Sequence, residues 1–100
     1  MNEKTKTLLS ESEITLRELG LIFARLIAGL AVDPHGYFEK KYTARIENAQ
    51  SDSEIGGVLA QLVQWAVSSA VTDAQRAQPD HDLLAQGLPT VADLQVSLLP

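Results

Sequence analysis

Two stretches of the chain repeat apolar residues at steps of three and four, the period of a helix with one side against a core. In the first, Ile14, Leu16, Leu19, Leu21, Ile22, Phe23, Leu26, Ile27 and Leu30 leave a narrow polar stripe through Glu11, Thr15, Glu18 and Arg25. Ser10 and Glu13 stand at the spacing of a capping box, so the pattern predicts a helix over residues 11–31. Gly20, Ala24 and Ala28 recur every fourth residue and give it a smooth side where another backbone can approach. In the second stretch, Ile55, Val58, Leu59, Leu62, Val63, Trp65, Ala66, Val67, Ala70 and Val71 wrap most of a helix predicted over 54–77. Ser51 with Glu54 at capping-box spacing, or Ser53 as an alternative cap, provides its start, and it ends before Pro79.

Between the two, Asp33, Pro34, His35 and Gly36 break the helical pattern, because proline lacks the amide proton and glycine permits unusual dihedrals. Phe38, Tyr42, Ile46 and Ala49 then fall on one face of a shorter helix over 37–49. Beyond Pro79 the texture changes. Asp80 caps a short helix through Leu84 that Gly87 closes, Thr90 with Asp93 starts a last turn, and positions 94–98 alternate apolar with polar residues. Alternation is the strand period, so this end reads as either a short helix or an extended arm.

The expected fold is therefore all-α: a small bundle of three main helices (11–31, 37–49 and 54–77) plus a short C-terminal helix or arm. Residues 1–9 read as a flexible polar lead-in, 10–78 as the helical core domain and 79–100 as a separable C-terminal piece. That piece carries Leu83, Leu84, Leu88, Val91, Leu94, Val96, Leu98 and Leu99, more apolar groups than a solvated tail leaves in water. It reads as an arm for a partner or a second subunit, the alternative being that it folds back to close its own bundle. The near all-round apolarity of the two long helices implies enclosure beyond what 100 residues provide, hence a homodimer. Gly20, Ala24, Ala28, Leu62 and Trp65 are the expected core or subunit contacts.

Composition narrows the function. With 45% hydrophobic residues the chain can fold as one modest domain. It has no cysteine, which excludes disulfides, thiolate nucleophiles and Cys-ligated metals and favours a reducing, cytoplasmic setting. The longest apolar run, residues 19–32, is interrupted by Arg25 and is shorter than the roughly 20 residues of a membrane span. No signal-peptide pattern follows the N-terminal lysines. The net charge of −5 is lopsided: residues 51–100 hold Arg76 against Asp52, Glu54, Asp73, Asp80, Asp82 and Asp93. Such a half repels phosphate backbones and suits a basic protein partner.

Chemistry-bearing motifs are sparse. His35 near Asp33, and His81 between Asp80 and Asp82, are the right residue types for a metal, but they sit in turn-like segments without a matching ligand spacing. Serine, histidine and aspartate are present without a nucleophile elbow. Gly56 and Gly57 lack the Lys-Ser or Lys-Thr of a phosphate loop. Lys40, Lys41 and Arg45 beside Tyr42 form one small basic cluster, read as a solvated helix face rather than a nucleic-acid surface. The sequence thus predicts no catalytic, cofactor or metal site. It points to a non-enzymatic helical interaction module: an adaptor, regulator or chaperone-like protein. The alternatives are a structural subunit of a larger assembly, a dimeric transcription-related regulator, or a small helical enzyme built around His35 or His81.

Overall fold

The computed structural model describes residues 2–30 and 36–98 and is helical, with six helices among those residues. They are α1 (Glu3–Ser12), α2 (Leu16–Ala28), α3 (Tyr37–Glu47), α4 (Asp52–Ala66), α5 (Asp73–Ala85) and α6 (Val91–Leu98). The all-α class stands, but where the sequence reading has three main helices and a short C-terminal helix or arm the described residues form six helices; the helix expected over 37–49 is α3.

The first correction lies at the N-terminus. The segment read as a lead-in is mostly α1, started by Asn2, whose side-chain oxygen accepts the Thr5 amide at 3.0 Å. Ser10 is therefore inside a helix, and Glu13 takes the left-handed conformation that ends it (φ 59°). The working capping box is Thr15 with Glu18. The Thr15 hydroxyl accepts the Glu18 amide at 3.1 Å, and Glu18 reaches back to the Thr15 amide at 3.4 Å. Both pairs have the same spacing, but only Thr15 directly precedes the apolar period.

The second correction divides the helix predicted over 54–77. Ser51 does cap α4, accepting the Glu54 amide at 3.2 Å, but α4 stops at Ala66. Thr72 and Gln75 then form a second capping box and start α5. Arg76 fixes the corner. Its guanidinium donates to the carbonyls of Ala66 (2.8 Å) and Val71 (3.1 Å) while pairing with Asp73 (2.8 Å), so it serves orphaned carbonyls around the α4 end.

The third correction concerns Pro79, which lies inside α5 and ends nothing. An interior proline costs about 3 kcal/mol through its missing amide and its ring. Here the ring is buried beside Leu26 of α2 and Leu30 just after it, which offsets part of that cost. The helix ends instead at Gly87 (φ 72°), where Leu88 and Gly87 donate to the Leu83 and Leu84 carbonyls at 2.9 and 3.0 Å. That is a Schellman closure, and glycine suits its left-handed residue. Asp80, expected to cap a short helix, accepts the first amide of α6 from Val91 at 2.8 Å. Thr90 and Asp93 complete that start, and the alternating stretch is helix rather than strand.

The core forms around α2 and α4. Leu19, Phe23 and Ile27 of α2 share one buried cluster with Leu59, Leu62 and Val63 of α4. Helix α3 lies close on α2, because Gly20 leaves room for Ile46: a Cβ at Gly20 would meet it at 3.2 Å. Helix α6 packs on α4, α5 on α2 and α6, and α1 on α6. The exposed edge of α2 is Glu18 and Arg25, in keeping with the narrow polar stripe read from the sequence.

Candidate functional site

Helix α1 is polar over most of its surface and is held to α6 by a small set of contacts. Lys4 pairs with Asp93 at 2.7 Å, the Asn2 amide donates to the Ser97 hydroxyl at 2.9 Å, and Thr5 is fully buried. The Thr5 hydroxyl oxygen has no hydrogen-bond partner among the described residues. Burial raises the Asp93 carboxyl. Bonds from Lys4 and from the Thr90 backbone and hydroxyl, with the Lys4 charge, outweigh it and hold the group below its ordinary value.

This placement of α1 creates a groove. Leu9 of α1, Ile14 and Leu16 at the α1–α2 junction, and Leu98 of α6 form an apolar lining. Lys6, Asp52, Ser53 and Gly56 complete it, and the open volume is about 560 Å³. All four apolar side chains are half-buried and pack against the main core from outside. Gly56 has open space where a Cβ would stand. Asp52 of α4 is the acid in this lining, and it is exposed. Lys6 is the basic residue there, loosely paired with Glu3 at 3.9 Å.

The chain matches no family model, no curated protein and no solved structure.

The residues singled out from the C-terminal piece separate into groups. Leu83, Leu88, Val91 and Leu94 are at most 2% exposed and belong to the chain's own core. For these four the fold-back alternative describes the structure. Leu84 and Val96 point outward, 65% and 76% exposed, and Leu98 lines the groove. Leu99 lies outside the described residues. Of the expected core or subunit contacts, Gly20, Ala24, Ala28 and Leu62 are buried. Trp65 is half-buried, its ring 5.5 Å from Phe38, which in turn lies 4.6 Å from Tyr42.

His81 is exposed on α5 beside Leu84, and His35 lies outside the described residues. Among the described residues no group of three or more His, Asp or Glu side chains is arranged to hold a metal ion. Nor is any helix there long and apolar enough to cross a membrane. Sequence reasoning missed Leu9 and Lys6 as site residues because α1 was read as a lead-in. Asn2 three residues before Thr5 was the available signal, a capping side chain ahead of a helix.

Proposed function

We propose that this protein is a small, non-enzymatic interaction module of the cytoplasm, and that its groove between α1, α2, α4 and α6 receives an apolar segment of another protein. The observation that carries the reading is the apolar lining of Leu9, Ile14, Leu16 and Leu98 left half-buried in an open volume of about 560 Å³. A concave site lined by grouped, half-buried apolar side chains suits an apolar partner segment. Asp52 in the lining, on a chain of net charge −5, favours a segment flanked by Lys or Arg. A short amphipathic helix fits that description, with apolar anchors below and basic residues at the edges. An adaptor, regulator or chaperone-like role follows from binding of this kind.

Photo-cross-linking from position 53 in the native host tests the reading. Ser53 lines the groove and is exposed, so a photoreactive residue there reaches an occupant without entering the core. A discrete adduct with one other protein is expected, its cross-linked peptide apolar with basic flanks. Absence of any adduct, or a cross-linked peptide that is acidic or wholly polar, would contradict it.

A further inference from the structure

The cations of this acidic chain are unevenly satisfied. Among the described residues, Lys4, Lys6, Arg25 and Arg76 pair with carboxylates, and Arg17 is held by the carbonyls of Ile46, Glu47 and Ala49. Lys40, Lys41 and Arg45 have no carboxylate partner among those residues, and all three lie on α3. Lys41 and Arg45 approach the Tyr42 ring at 5.6 and 5.5 Å, and Arg45 also donates to Gln61. At helical spacing, Tyr37, Lys41 and Ala44 form one outward stripe, with Lys40 and Arg45 on either side of it. Every one of these residues is exposed, Tyr37 by 72%.

Helix α5 presents the opposite pattern. Asp73, Ala77, Asp80 and Leu84 follow one another at steps of four, three and four, and so share a stripe. Asp73 and Leu84 are exposed and Asp80 is half-exposed; Asp73 pairs with Arg76 at 2.8 Å through Oδ1 and Asp80 accepts the Val91 amide at 2.8 Å through its Oδ1, which leaves the second oxygen of each carboxylate without a partner among the described residues. The large hydrophobic side chains left exposed among the described residues are Tyr37, Leu84 and Val96. Two of the three thus sit on these two stripes, one within the basic surface and one within the acidic one.

We infer that the basic, tyrosine-bearing face of α3 docks on the acidic, leucine-bearing face of α5 in a second copy of this chain. Lys40 and Lys41 meet Asp73 and Asp80, while Tyr37 and Leu84 cover apolar surface. In a two-fold pair the same contact forms twice, α3 on the partner's α5 and the reverse. A nucleic acid is the less favoured occupant of α3: three cations on a chain of net charge −5 give little attraction for a polyphosphate. The groove is lined by other helices, so failure at one surface does not imply failure at the other.

Sedimentation equilibrium of the full chain at micromolar concentration and low salt is the test. The wild type is expected at twice its 10.8 kDa mass. Dissociation should increase as salt is raised. Reversing charge on one face (Lys40→Glu with Lys41→Glu) or on the other (Asp73→Lys with Ala77→Lys) should weaken the pair by ~10-fold or more. All four positions are exposed, and circular dichroism confirms that each variant remains folded. The decisive arm mixes the two variants in equal amounts. Their altered faces are again complementary, so the mixture should recover the dimer mass that neither forms alone. A monomeric wild type, a variant that dimerises unchanged, a mixture that stays monomeric, or a monomer that takes up an oligonucleotide through α3 would each overturn the inference.

Discussion

Replacing Asp93 separates the contributions that hold α1 and start α6. Its carboxylate accepts from Lys4 at 2.7 Å and from the Thr90 amide at 3.1 Å. The Lys4 side chain is 68% exposed, so solvent screens that pair and it contributes about 0.2–1 kcal/mol. The part-buried bond from the Thr90 amide adds about 0.5–1.5 kcal/mol. Asp93→Ala loses both and should cost roughly 1–2 kcal/mol, a sizeable fraction of the roughly 5–15 kcal/mol of a typical domain. Asp93→Asn keeps an acceptor for Thr90 and removes the charge, so it should cost less; Lys4→Ala should cost under about 1 kcal/mol. Urea unfolding followed by circular dichroism measures all three, and hydrogen exchange should report faster exchange of α1 amides in each. A Lys4→Ala loss as large as that of Asp93→Ala, or α1 amides that exchange at the wild-type rate, would refute this division. The sign of the pH effect follows from the lowered Asp93 value. Stability from this group is present above the ordinary carboxylate value of about 3.9, and it is lost as pH falls through the folded value.

Ending the chain after Gln78 should abolish cooperative thermal unfolding. It removes Leu83, Leu88, Val91 and Leu94, each worth about 1.5–3 kcal/mol when buried; a truncated chain that melts like the full one would contradict their placement. Arg76→Ala leaves the Ala66 and Val71 carbonyls without its donors and should lower stability by about 1–3 kcal/mol, read from the denaturant midpoint.

Local chemistry explains which features were legible in the sequence. The apolar period that fills the core from α2 and α4, the Ser51 cap and the Thr90–Asp93 start each depend on residues a few positions apart, and all stand in the structure. The break between α4 and α5 was less visible, since Val67, Ala70 and Val71 continue the apolar period through a non-helical corner. What closes that corner is Arg76 reaching back ten residues to Ala66. Pro79 was read by its usual effect, but burial against α2 depends on a neighbour distant in sequence. The groove was hidden for the same reason. Leu9 and Leu98 lie at opposite ends of the chain, and only the docking of α1 on α6 brings them together.

The most direct test of the groove compares two adjacent glycines of α4. Gly56 lines the groove and Gly57 does not, and at both positions a Cβ would meet open space. Phenylalanine at either should leave the fold intact, but Gly56→Phe places a ring where the bound segment belongs. Isothermal titration with the protein captured by cross-linking should then show at least about a tenfold loss of affinity, ~1.4 kcal/mol, for Gly56→Phe, and near wild-type binding for Gly57→Phe. Equal affinity for wild type and both variants would contradict the assignment of the groove as the binding site.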